Sequence, residues 1–307
     1  MKLIEPTYEI INQNSGTLED IYKHIELCGR TCYKSEDRIT EGSAEKFVEA
    51  MIKNGHTAML EHGTVYLYIK HEEKDGVDMG DPYDISFDLL FCKYAKHNSN
   101  FDTHESFYTV NLRWLVEKYP EQSENQLYIP SWKDIIDQYA VEQPDDRWPK
   151  RHTVKLTTSL HVYKDLTRHR TMSFAIESTR YCNYSKGKFG AELTFIKPCW
   201  MEQTEHENKG LSDYFYAHLE DVEQTYLDSI HAGWQAQQAA EILPQCVKAD
   251  VVITGFEDDW DHIFDLRSLG TTGKPHPEVE RIITPIMEEF YEKGWTDRNR
   301  NNILQRV

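Results

Sequence analysis

Residues 168–181 read Arg168-His169-Arg170-Thr171-Met172-Ser173-Phe174-Ala175-Ile176-Glu177-Ser178-Thr179-Arg180-Tyr181. Across residues 151–190, eight Lys/Arg stand against two acids, Asp165 and Glu177, in a chain whose formal net charge is −18. A basic island in an acidic protein focuses its field on an anionic ligand. In Ser178-Thr179-Arg180 a hydroxyl and a guanidinium lie two residues apart, a spacing that lets a loop grip phosphate oxygens. The overall acidity excludes a general nucleic-acid binder, which needs a broad basic face to displace counterions. A small phosphate-bearing ligand is the expected partner.

Working outward, Val154–Thr158 reads as a strand. Leu160, Tyr163 and Leu166 or Thr167 mark one face of a short helix that stops near Arg170. Downstream, Phe215, Leu219, Val222, Tyr226 and Ile230 recur at helical spacing, with Gly233 as terminator. Val247, Ala249, Val251 and Ile253 alternate as a strand. Trp260, Ile263, Phe264 and Arg267 then share a helix face, which points the arginine inward. A closing helix is expected over 277–294, bent at Pro285, followed by a loosely held tail. Upstream, helices are expected over 17–32 and 43–53, the latter ended by Gly55, and Thr64–Ile69 alternates as a half-buried strand. Residues 70–150 are acidic and Gly/Asp/Pro-rich at 71–84, weakly helical at 108–119 and broken at 144–149, and read as an insertion into one domain spanning 1–307.

A chain of 307 residues that is 39% hydrophobic and 12% aromatic has the apolar surface to close a core. It lacks the run of about eighteen apolar residues that a membrane span needs. The start, Met1-Lys2-Leu3-Ile4-Glu5-Pro6, is not the apolar stretch of a signal peptide, so a cytoplasmic location is expected. Six widely spaced cysteines read as reduced thiols rather than a disulfide framework.

Each candidate has two readings. Arg168, His169 and Arg170 either offset the negative end of the preceding helix or bind an anion. An inward Arg267 needs an acceptor, either a ligand or a buried Asp/Glu. His56, Glu61 and His62 do not have the His-Glu-x-x-His spacing of a zinc helix, and His24, Cys28 and Cys32 supply only three candidate ligands on one helix face, so no metal is expected. Cys199 has no adjacent cation to form a thiolate, and Ser178 has no Ser-His-Asp order around it.

Arg-His-Arg, seven residues, then Ser resembles the signature of the flavin-dependent thymidylate synthases. Gly55-His56-Thr57-Ala58-Met59-Leu60-Glu61-His62 before a strand, Ser173-Phe174, Glu177 to Ser185, Ile242-Leu243-Pro244 and Asp265-Leu266-Arg267 resemble further landmarks of that family, in order, over roughly 17–290. The resemblance implies an α+β fold, a mixed sheet flanked by helices and unlike the Rossmann fold. It also implies a homotetramer with FAD at subunit interfaces. The implied reaction converts dUMP to dTMP, with methylenetetrahydrofolate as carbon donor and NADPH reducing the flavin.

By position, the resemblance puts His56, Ala58, Arg168, His169, Arg170 and His262 at the FAD. Asp165, Arg168, Glu177, Ser178, Thr179 and Arg180 fall at the nucleotide, and Arg267 at the uracil edge as the activating residue. Three positions depart from the pattern. Asp165 stands where many members carry Gln, Ala175-Ile176 where they carry Asn-Glu, and Ala240-Glu241 where an arginine precedes Leu-Pro. Losing that arginine's phosphate contact costs about 1.5–3 kcal/mol unless Lys248 or another cation replaces it. These departures leave open a related flavin enzyme acting at C5 of another pyrimidine nucleotide, or a nucleotide- or flavin-binding homologue without turnover.

Overall fold

In a computed structural model, the structure describes residues 1–71, 73–74, 77–78, 85–121, 129–187 and 190–300. Most of the Gly/Asp/Pro-rich stretch 71–84 and the tail 301–307 lie outside these residues. The first half runs β1 (Lys2–Ile4), β2 (Thr7–Ile11), α1 (Leu18–Tyr33), α2 (Ser43–Lys53), a 3-10 segment (Thr57–His62), β3 (Thr64–Lys70), β4 (Glu73–Lys74), β5 (Val77–Asp78), α3 (Ile85–Leu90), β6 (Ala95–Asn100), β7 (Glu105–Asn111), α4 (Leu112–Lys118) and α5 (Trp132–Tyr139). The second half runs β8 (Arg151–Ser159), α6 (Leu160–Leu166), β9 (Ser173–Ile176), β10 (Thr194–Ile196), α7 (Met201–Glu207), α8 (Lys209–His231), α9 (Ala236–Ala239), β11 (Lys248–Phe256), α10 (Glu257–Arg267) and α11 (Pro277–Glu292).

The class is α+β. A central antiparallel sheet has the order β2-β8-β11-β9, a second antiparallel sheet the order β3-β7-β6, and β1 pairs with β10 in parallel. Parallel and antiparallel pairing thus both occur, but in separate sheets. β11 is buried from Ala249 to Phe256 because both faces of its sheet are covered. On one face Val154, Leu156, Val251 and Ile253 pack with Val162 and Leu166 of α6, Trp260, Ile263 and Phe264 of α10, and the apolar side of α11. On the other, Ala175 and Val252 meet Cys28 and Cys32 of α1 and Met59 of the 3-10 segment.

Most of the expected elements form at the expected places. Ser159 caps α6 by accepting the Val162 N–H, Gly55 and Gly233 turn the chain at φ +69° and +98°, and α11 continues through Pro285. Two expectations change. The helix read over 108–119 begins only at Leu112, because Glu105–Asn111 pairs along β3 and buries Tyr108 and Val110 beside Val65 and Leu67. Residues 295–300 are tied down: Arg298 pairs with Asp261 at 2.8 Å, Arg300 with Glu280 at 3.0 Å, and Trp295 stacks on His152 at 3.8 Å. The β7, α4 and α5 part of 70–150 shares one apolar core with α1, α2 and β3.

Candidate functional site

α6 stops at Leu166, and the Arg-His-Arg triplet lies in the turns that follow. Arg168 N–H donates to Asp165 O (3.4 Å), His169 N–H to Leu166 O (3.0 Å) and Met172 N–H to His169 O (3.2 Å). Arg168 and Arg170 are exposed and His169 is buried. Burial, then the neighbouring Arg267 guanidinium and His262, push the His169 imidazole down to about 4, so the ring is neutral at pH 7. Its Nε2 accepts from Arg267 Nε at 3.2 Å, which puts the ring proton on Nδ1. Arg267 also donates from Nη2 to Asp165 O (3.1 Å) and from Nη1 to Asp165 Oδ2 (3.4 Å). Three of its five N–H donors are thereby engaged and two remain. The exposed His262 ring lies 5.3 Å from that of His169. The fold therefore brings Asp165, His169, His262 and Arg267 into one cluster at the C-termini of α6 and α10.

Ser178, Thr179 and Arg180 lie beyond the far end of β9. The four-residue strand spans about 13 Å, so it separates this loop from Arg170. Because β9 is the edge of its sheet, both groups border the same open strand. The loop is pinned by Ser178 N–H donating to Cys32 O at 3.0 Å, and Arg180 lies over the Tyr181 ring at 5.3 Å. Among the described residues, Arg168, Arg170 and Arg180 make no ion pair.

Glu177 is turned inward. It accepts from Lys248 Nζ (2.6 Å), Tyr184 OH (3.1 Å) and the Asp250 N–H (3.1 Å), with its side chain 1% exposed. Asp250 takes Lys34, Lys248 (3.0 Å) and the Thr157 hydroxyl (2.7 Å). Lys34 caps α1 from the left-handed region at φ +49°, and burial lowers its pKa. Two buried carboxylates and two lysines thus brace the base of the Ser178–Tyr181 loop. The Glu177 carboxylate is thus engaged by internal partners, and Lys248 is committed to this cluster.

His56 and Ala58 are exposed on the 3-10 segment, which packs on the opposite face of the central sheet from α6 and α10. They do not join the Arg267 cluster. That segment is held by a buried hydrogen-bond chain between His62 and His24 that the sequence did not reveal. His62 Nδ1 bonds Thr254 Oγ1 (2.8 Å), which bonds Thr153 Oγ1 (2.8 Å), which bonds His24 Nε2 (2.9 Å). Half-buried Arg151 donates to Glu61 O at 2.9 Å and Thr64 Oγ1 at 3.1 Å. Polar Thr153 and Thr254 on otherwise apolar strands were the visible signal.

Among the described residues, no group of three or more His, Cys, Asp or Glu is placed to hold a metal. Burial and then Glu278 push the Cys199 thiol up to about 11, unsuited to nucleophilic attack at neutral pH. Elsewhere, at the N-terminal end of α6, a cavity of about 310 Å³ opens between α6, the start of α11 and the 196–200 and 244–246 segments.

The family described as thymidylate synthase complementing protein matches residues 151–293, the span that holds the Arg267 cluster, the Ser178–Arg180 loop and the central strands. Among solved structures, the chain is similar to a UMP/dUMP methylase, PolB from Streptomyces cacaoi, bound with 5-Br dUMP. The two share 13% identity at a TM-score of 0.43, over 95% of this chain and 93% of that one. A search of curated protein sequences finds no match.

Proposed function

Taking as premise that residues 151–293 carry the pattern of the thymidylate synthase complementing protein family, we propose that the protein reductively methylates dUMP to dTMP, with methylenetetrahydrofolate as carbon donor and NADPH-reduced FAD as reductant. The observation that carries this reading is three exposed guanidiniums, Arg168, Arg170 and Arg180, without ion partners among the described residues of a chain at −18. Acids are abundant, so leaving these cations unneutralised fits sites for ligand phosphates.

The residues fit FAD by chemistry. Arg168 and Arg170 would hold its diphosphate, with His169 and His262 beside it and His56 and Ala58 supplied from the other face or from a second copy. When bound and reduced, FAD supplies the reducing equivalents that turn the transferred carbon into a methyl group, so tetrahydrofolate leaves. Ser178, Thr179 and Arg180 would grip the dUMP phosphate and sugar. Arg267, steadied by Asp165 and His169, would direct its two spare donors at the uracil edge. There it stabilises the negative charge that develops as N3 loses its proton and C5 becomes nucleophilic. No thiol attack on the base is needed, in keeping with the protonated Cys199.

The test is a flavin assay paired with tritium release from C5-labelled dUMP. The purified protein is expected to be yellow and to bleach with NADPH, and the Arg267→Ala variant to keep its flavin while turnover falls by about two to three orders of magnitude. Colourless protein that ignores added FAD refutes the cofactor, and undiminished turnover in the variant removes the role of Arg267. One second reading has a specific observation behind it. Ala240 replaces the family arginine while Lys248 is committed to Glu177 and Asp250, which favours a homologue acting on another pyrimidine nucleotide. Product analysis with UMP against dUMP separates the two.

A further inference from the structure

A second cavity, of about 620 Å³, opens between α1, α2, the 3-10 segment, α4 and α5, and none of Arg168, Arg170, Arg180 or Arg267 lines it. That volume lies within the range of small-ligand sites. Tyr22, Ile52, Val116 and Trp132 form its apolar walls. Two polar groups in those walls are unsatisfied. Tyr22 is 7% exposed and Trp132 2%, yet neither the Tyr22 hydroxyl nor the Trp132 indole N–H has a hydrogen-bond partner among the described residues. Buried phenols and indoles usually find one.

The other polar lining groups are mostly engaged. Glu117 takes Arg113 at 2.8 Å and the Thr57 hydroxyl at 2.5 Å, and Lys133 takes Glu121 at 2.5 Å. Glu49 and Lys53 are exposed on the rim and make no ion pair among the described residues. The field sets the sign of the missing partner. Burial, then Glu49, Glu45 and Glu121, push the Tyr22 hydroxyl's pKa upward, so the phenol keeps its proton and its oxygen faces negative charge. Around the cavity Glu45, Glu49, Glu117 and Glu121 stand against Lys53, Arg113 and Lys133, which leaves one carboxylate in excess. A single positive charge balances it, and an anion beside Tyr22 is repelled. Among the described residues, no three His, Cys, Asp or Glu are placed to hold a metal, so the cation is organic. The Trp132 N–H is a donor only and needs an acceptor on the same ligand.

We propose that this cavity binds an organic monocation built from a primary ammonium, a neutral oxygen and an apolar body. The ammonium donates to the Tyr22 oxygen and to Glu49, the ligand oxygen accepts from Trp132 Nε1, and the body packs on Ile52 and Val116. Lys53 keeps its ammonium in solvent at the rim. The assignment is independent of the nucleotide reaction.

The test is calorimetric titration of the full chain, at constant ionic strength, with phenylalaninol and three relatives. These are 3-phenylpropanol, which lacks the ammonium, 2-phenylethylamine, which lacks the oxygen, and phenylalanine, which carries a carboxylate instead. Phenylalaninol is expected to bind at least about tenfold more tightly than 3-phenylpropanol and at least about twofold more tightly than 2-phenylethylamine. Phenylalanine should bind more weakly than phenylalaninol, and magnesium at equal ionic strength should displace nothing. Tyr22→Phe, which removes only the hydroxyl, should weaken phenylalaninol about tenfold, and Glu49→Gln about threefold, with 3-phenylpropanol unchanged in both. Thermal melts check that each variant is folded; should Tyr22→Phe not fold, Glu49→Gln on the exposed rim and the ligand series decide. Absence of phenylalaninol binding, equal affinity for any relative, tighter binding of phenylalanine, displacement by magnesium, or variants that bind as the unaltered protein does would each overturn the proposal.

Discussion

Arg267 shows how a single side chain is prepared before any ligand arrives. His169 and Asp165 occupy three of its donors, so the guanidinium does not have to be oriented when charge develops on a base. The sequence predicted an inward arginine needing an acceptor, a ligand or an Asp/Glu; only the fold shows that the acceptors are the His169 imidazole and both the backbone carbonyl and the carboxylate of Asp165. Burial also shapes His24 and His62. Desolvation pulls them down to about 4 and about 3, below the ordinary value of 6.5. Both stay neutral when folded, while the unfolded chain binds their protons as the pH drops below about 6.5. Their contribution to stability is complete above that pH and is lost progressively toward the folded values. The melting temperature should therefore hold from pH 8 to about 6.5 and fall from there to pH 5, with a shallower fall in His62→Gln. A flat profile between 6.5 and 5 would contradict the buried neutral histidines.

At the level of elements, the Ser178–Tyr181 loop depends on charges contributed by α1, β9 and β11. Removing the ammonium in Lys248→Met leaves Glu177 and Asp250 to Lys34 alone. Breaking a buried ion cluster costs about 3–5 kcal/mol, and the remaining lysine favours the lower end. A urea midpoint lowered accordingly, with faster amide exchange at Cys182, whose N–H is held by Ser178 O, is the expected outcome. An unchanged midpoint would show that the cluster braces nothing. Helices with clear 3.6 periodicity were legible: the reading over 17–32 matches α1 to within one residue at each end, that over 43–53 coincides with α2, and that over 215–230 falls within α8. Glu105–Asn111 was not, because its neighbours in sequence resemble a helix face and only pairing with β3 selects the strand.

For the molecule as a whole, the two halves of the expected flavin site lie on opposite faces of the central sheet. His56 and Ala58 are on the α1 side, and Arg168 to Arg170 follow α6. Reaching both with one ligand requires crossing the β9 edge or borrowing a face from a second copy. The homotetramer that the resemblance implies would provide the latter. Light scattering on the purified protein should give about four times the 36.1 kDa chain mass, and a stable monomer with full flavin content would refute shared sites. The order of residues alone determined the major helices and the basic island, because periodicity and local charge are properties of neighbours along the chain, while the α+β class followed from the family resemblance. Only the tertiary structure decided that Glu177 points inward, that Arg267 meets His169 across 98 positions, and that His276 and Glu278 wall a cavity with Trp200. Those contacts come from packing elements distant in sequence, and no local pattern encodes which side chains a fold presses together.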